Sequence, residues 1–171
     1  MIRTATPADV PDIHRMILAL AEYQGYRDEV VATEERLRAA LFGPAPAVHA
    51  LVAVEGPGGS GEASADSRPG PVGFALWFPT YSTWLGAPGV YLEDLYVDPA
   101  RRGGGHGKAL LVELARICRD RGGQRLEWSA LNKLTETVAF YRSLGARPLE
   151  DSRVFRLTGG ELAKLAAYER A

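Results

Sequence analysis

Two adjacent carboxylates, Glu93 and Asp94, sit inside a run of strand formers made of Tyr91, Leu92, Leu95, Tyr96 and Val97. Asp98-Pro99 ends that run by turn chemistry, and Arg101, Arg102, Gly103, Gly104, Gly105, His106, Gly107 and Lys108 follow. A carboxylate near neutral pH can take a proton from an amine. A glycine-rich turn feeding a helix can bring backbone N–H groups close to an anion, which the helix start also favours, and arginine adds fixed charge for phosphate. A third group is Tyr141 in FYRSLGA. Its phenol, with a reference pKa of about 10, stays protonated at neutral pH and can donate a proton, but on the residues alone Phe140-Tyr141 reads as a helix packing pair.

Spacing discriminates among phosphate loops. The dinucleotide pattern G-x-G-x-x-G fails, because its last position falls on Lys108 counted from Gly103 and on Leu110 counted from Gly105. The nucleotide pattern G-x-x-x-x-G-K-[ST] fails too: Gly107-Lys108 is present, but Arg102 stands at the first Gly and Ala109 at the hydroxyl residue. Arg102-x-x-Gly105-x-Gly107 between a strand and a helix remains, with a plain connecting turn as the alternative.

The elements that must carry these groups come next. Leu110, Leu111, Leu114, Ile117 and Cys118 recur at helical spacing after the turn. Thr6-Pro7-Ala8-Asp9 opens an earlier amphipathic helix with Val10, Ile13, Ile17 and Leu20, ending near Tyr23 to Gly25, and a second runs from Thr33 to about Phe42. Short strands are predicted at Ile2 to Ala5, Val48 to Glu55, Val72 to Phe78, Gln124 to Leu131 and, once or twice, within 149–158. Helices are predicted at Thr135 to Leu144 and Gly160 to Arg170. Residues 56–71 have the composition of a mobile hairpin tip within one domain, 1–171. This order predicts an α/β domain around a mixed sheet. Tyr81 to Gly86 is expected as a loop whose Tyr81 and Trp84 wall a binding pocket or cover the core. Adjacent strand residues face opposite sides, so one of Glu127 and Trp128 faces the cleft, and Asp94 points away from Glu93 unless the strand is bulged.

The composition bounds the function. The 171 residues, 46% hydrophobic and 24% charged, suit one ordinary globular domain, and a formal net charge of -1 offers nothing to nucleic acid. The single cysteine, Cys118, lies on an apolar helix stripe and is expected in the core. His14 and His49 lack ligand spacing, so no metal is expected. Met1 to Thr6 runs straight into a structured pattern, and no apolar run reaches the roughly 20 residues of a membrane span, so a cytoplasmic protein without a membrane partner is expected.

The segments IRTATPADVPDI, YSTWLGAPGVYLEDLYV, RRGGGHGKALL and RLEWSALNKLTETVAFYRSLGA occur in the order found in the GNAT N-acetyltransferases, and the chain most resembles the spermidine/spermine (diamine) branch. The resemblance implies a mostly antiparallel central sheet flanked by helices, with splayed central strands forming the acyl-CoA site. It implies acetyl-CoA as cosubstrate, with Leu95, Tyr96 and Val97 along the pantetheine and Arg102 to Lys108 at the pyrophosphate. It implies Tyr141 as proton donor to the CoA sulfur and Glu93 as the acid that contacts the amine and helps deprotonate it. Asp94, Tyr81, Trp84, Glu127, Trp128 and Gln24 become candidate substrate contacts, and a homodimer is expected. The sequence departs from the branch in three places. Leu134, preceded by Lys133, stands where many relatives have Asn. Gln24 and Ser82 stand where polyamine-specialised relatives carry Glu and Asp.

Freeing the lone pair of an alkyl amine of pKa about 10.4 costs about 4 to 5 kcal/mol at pH 7, so a base must share the work. Glu93, directly or through water, is the candidate. The leading reading is acetyl transfer to the primary amine of a small molecule, whether diamine, polyamine or amino-acid-like, by direct attack on the thioester. An acyl-CoA-binding regulatory module without turnover, and an acetyltransferase of protein N-termini or lysines, remain open.

Overall fold

A computed structural model describes residues 1–55 and 70–168. The chain divides into two compact units, Met1–Ala130 and Leu131–Ala171.

The first unit is built on one five-stranded sheet of β1 (Ile2–Thr4), β2 (His49–Val54), β3 (Pro71–Ser82), β4 (Ala87–Val97) and β5 (Leu126–Trp128), in that spatial order. The first three pairings are antiparallel and β4 with β5 is parallel. The expected mixed, mostly antiparallel sheet is present. Helices α1 (Val10–Gln24) and α2 (Glu34–Phe42) cover one face. Val10, Ile13, Met16, Leu37 and Leu41 bury their apolar stripes there against Val52, Phe74, Leu76 and Tyr96. Helix α3 (His106–Asp120) buries Leu110, Leu111, Leu114 and Cys118. Cys118 is core, as expected, and its Sγ donates to the Arg125 carbonyl oxygen at 3.4 Å.

The entry to α1 is pinned by Asp9. Its carboxylate accepts from both Arg3 terminal nitrogens at 2.7 Å each, and from the Thr6 N–H and hydroxyl at 2.7 and 2.8 Å. Burial disfavours the charge, but the Arg3 and Thr6 hydrogen bonds outweigh it and hold the carboxyl at about 2.

The second unit holds α4 (Thr135–Ser143) and α5 (Gly159–Ala166). The strands expected within 149–158 do not form. That segment turns at 150–151 and pairs with no strand among the described residues, and Val154 and Phe155 are 82% and 91% exposed. Strand propensity alone does not make a strand, because the ladder hydrogen bonds require a neighbouring chain. Of the expected hairpin tip, 56–69 lie outside the described residues, and Pro71 already belongs to β3.

Candidate active site

The β3–β4 hairpin is longer than expected. Tyr81 and Ser82 belong to β3, and only 83–86 turn, with Gly86 at φ 60. A turn this tight projects its side chains outward: Trp84 is 96% exposed and Tyr81 64%, so neither covers the core. Ser82 is buried, and its hydroxyl accepts from the Leu85 N–H.

Two irregularities in β4 create the site. Strand β5 pairs with β4 through Val90↔Leu126, Tyr91↔Glu127 and Leu92↔Trp128 and then stops, whereas β4 continues to Val97. From Glu93 onward, the β4 edge away from β3 therefore lacks a strand partner among the described residues, which leaves its N–H and C=O groups for an extended ligand. At that same point the register with β3 slips: Leu92 faces Trp77, Asp94 faces Leu76, and Glu93 is the inserted residue of a bulge. The bulge corrects the simple alternation. Cross-strand partners share a face, so Asp94 lies on the side of Leu76, Phe74 and Tyr96, and two rows along, on that side, Tyr91 lies opposite Phe78.

Glu93 is exposed and Asp94 partly buried. Burial first, and the neighbouring Glu93 charge second, push the Asp94 carboxyl up to about 6. Beyond the bulge, the Tyr91 ring stacks on Phe78 with centroids 5.2 Å apart, and its hydroxyl shares a 2.8 Å hydrogen bond with Ser129 just past the end of β5. This pair ties the two strands together where they part. Glu127, at the Tyr91 level, is on the same face, and Trp128, at the Leu92 level, is on the other. Gln24 is the last residue of α1.

The glycine turn sits at the start of α3. Gly103 and Gly105 adopt φ of 81 and 79, and a Cβ at either would meet nothing within 4 Å. The conformation, not crowding, demands glycine, and the space beside it is open. Ala109 is the first residue whose N–H meets a backbone carbonyl there, that of Gly105. The N–H groups from Gly103 to Lys108 meet none among the described residues. This open cradle of unpaired donors at a helix N-terminus fits a pyrophosphate. The arginines also have protein partners. Arg102 donates from Nε to the Val97 carbonyl oxygen at 3.2 Å and lies 4.9 Å above the Tyr23 ring, while Arg101 pairs with Glu55 at 3.4 Å. With Arg15 reaching Asp98 at 3.5 Å, they brace the turn against its surroundings. Lys108 is exposed, and no described group pairs with it.

In the second unit, Tyr141 lies in the last part of α4, its ring 5.3 Å from that of Phe140. Burial pushes its phenol up to about 12, so it holds its proton at any physiological pH. Leu134 is the residue before α4, and its carbonyl accepts from the Val138 N–H. Among the described residues there is no cluster of side chains suited to a metal and no helix long and apolar enough to cross a membrane.

Sequence reasoning allowed for a bulge without locating it, and it missed the Tyr91–Ser129 bond and Arg125. The alternation Arg125, Glu127, Ser129 was the available signal for a polar stripe on one face of β5.

The chain is similar to known proteins. Residues 17–146 match the family model described as the acetyltransferase (GNAT) family. The chain is 38% identical to thialysine N-epsilon-acetyltransferase of Bos taurus over 97% of its own length and 96% of that protein. It is 30% identical to an L-ornithine N5-acetyltransferase of Arabidopsis thaliana, over 94% and 85%. Among solved structures, an integron cassette protein from the mobile metagenome of V. cholerae superposes with a TM-score of 0.76 at 27% identity, covering 98% of both chains.

Proposed function

Because the chain belongs to the acetyltransferase (GNAT) family, whose matched segment takes in the carboxylate pair and Tyr141, we propose that it acetylates the distal primary amine of a small amino acid of the lysine or ornithine type. It is an N-acetyltransferase of small-molecule amines that uses acetyl-CoA as cosubstrate. The observation that carries the reading is the bulge that sets Glu93 and Asp94 at the mouth of the β4–β5 fork. Its amino-acid acceptor is supported by the thialysine and ornithine activities named for two relatives.

Acetyl-CoA supplies an acyl group activated as a thioester. The unpaired β4 edge from Leu95 to Val97 takes the pantetheine amides, and the N–H groups from Gly103 to Lys108 take the pyrophosphate, with Lys108 as a nearby cation. The Val97 carbonyl also holds Arg102. Glu93 and Asp94 draw the substrate ammonium to the fork and accept its proton, directly or through water. The amine then attacks the thioester carbon directly, without a covalent enzyme intermediate. Tyr141, protonated before the step, gives its proton to the departing sulfur, and the proton taken from the amine by the carboxylates returns to it through water.

Residues 1–171 act as one domain, and the protein works as a cytoplasmic homodimer. Exposed Val154, Phe155 and Leu157 support the dimer by offering apolar surface. The reading is tested by incubating the purified protein with acetyl-CoA and a panel of amines, following CoA release and identifying products by mass. Release with ω-amino acids is expected. Acetyl-CoA binding with no release for any amine would leave only a regulatory acyl-CoA-binding module. Acetylation of peptides alone would redirect the reading to protein substrates.

A further inference from the structure

On the α1 side of the sheet, the fork does not end at the two acids. Tyr91 on Phe78 forms an aromatic floor next to them. Beyond that floor, on β5, Arg125 Nε lies 2.7 Å from Glu127 Oε2, with both side chains about one-third exposed at 39% and 31%. Register fixes the face. Glu127 is the β5 partner of Tyr91, and Arg125, two residues earlier, shares its side. Counting through β3, from Leu76 opposite Asp94 to Phe78 opposite Tyr91, the acid pair and the Tyr91 level are about 7 Å apart along the strand, and β5 is about 5 Å across. Arg125 lies a further two residues on, about 7 Å more. An amine on a four-carbon stem, held at Glu93 and Asp94, therefore brings its far end to the Arg125–Glu127 pair.

This pair is not a closed structural bridge. Glu127 meets only the buried Nε of Arg125, which leaves the terminal guanidinium nitrogens without a partner among the described residues. Thr80 Oγ1 is likewise buried and unpartnered, and a Cβ at Gly89 would approach it to 2.8 Å and the Arg125 carbonyl to 2.9 Å. A glycine is thus required where β4 passes these polar groups. Unmet donors and acceptors beside a guanidinium and a carboxylate suit a ligand that carries both charges.

We propose that Arg125 and Glu127 read the α-amino acid end of the acceptor: Arg125 takes the α-carboxylate, Glu127 the α-ammonium, and Tyr91–Phe78 supports the methylenes between. This rests on the amine acetyltransferase reading above. A diamine gains only Glu127 and meets the repulsion of Arg125 at its second ammonium, and a long polycation is opposed more strongly.

The test compares L-lysine with its decarboxylated twin, 1,5-diaminopentane, and with lysinamide, by kcat/KM for CoA release. Wild-type protein is expected to favour lysine over both by about tenfold or more, the scale of one charge-assisted hydrogen bond. Arg125→Gln is expected to collapse the lysine-to-diamine ratio about tenfold through KM, and Arg125→Lys to restore part of it, with circular dichroism checking the fold. If Arg125→Gln does not fold, the wild-type lysinamide comparison alone decides. Equal kcat/KM for lysine, lysinamide and the diamine, or a ratio unmoved by Arg125→Gln, overturns the assignment while leaving the acetyltransferase reading intact. Absence of release with every amine overturns both.

Discussion

The carboxylate pair offers the sharpest test of the chemistry. Asp94 titrates at about 6 in place of the ordinary 3.8, first because it is buried and second because Glu93 is beside it. The difference of about 2 pH units corresponds to about 3 kcal/mol of preference for the neutral form. If the ionised pair receives the amine proton, kcat/KM must follow Asp94 ionisation. It is expected to be level above pH 7, halved near pH 6 and down to about a tenth at pH 5. Glu93→Gln removes the like charge but not the burial, so the Asp94 transition moves to lower pH and stays above the ordinary aspartate range. Carbon-13 NMR of the aspartate carboxyls reads that transition directly in the free protein, and pH–rate curves for both proteins read it in turnover. An Asp94 transition at about 4 in the wild type, or one that Glu93→Gln leaves in place, would refute the account of the bulge as the device that couples the two acids.

Other consequences are open to simple measurement. Tyr141→Phe removes the only proton that side chain can donate, and turnover is expected to fall about 100-fold with acetyl-CoA affinity by calorimetry unchanged; wild-type turnover would dismiss the donor role. Gly105→Ala forces a side chain into φ 79, a strain of about 1 to 2 kcal/mol without a clash, so acetyl-CoA binding is expected to weaken about tenfold or more as the turn relaxes. Asp9 is held at about 2 against an unfolded value of 3.8, so its contribution is complete above pH 4 and is lost as pH falls through 2. It amounts to about 2 kcal/mol. Urea melts of Asp9→Asn are expected to show the loss at pH 7 and to converge with wild type by pH 2; equal stability at pH 7 contradicts the network.

The sequence by itself narrowed the chemistry this chain can hold. The glycine spacing excludes dinucleotide and nucleotide loops, because each needs small residues at fixed intervals that Lys108, Leu110, Arg102 and Ala109 occupy. Helical periodicity located α1, α2 and α3, since each must bury a stripe. What it did not determine depends on partners distant along the chain. Glu93 and Asp94 share the fork because β3 sets a register that leaves one residue over, and no local pattern announces which residue is surplus. Arg101 and Arg102 read as phosphate ligands in one dimension, and only the fold shows that they also meet Glu55, Val97 and Tyr23. Residues 149–158 have strand formers and no strand, because a ladder takes two chains, whereas Arg125 and Glu127 become a pair beside the fork only because β5 lies parallel to β4 and ends at Trp128.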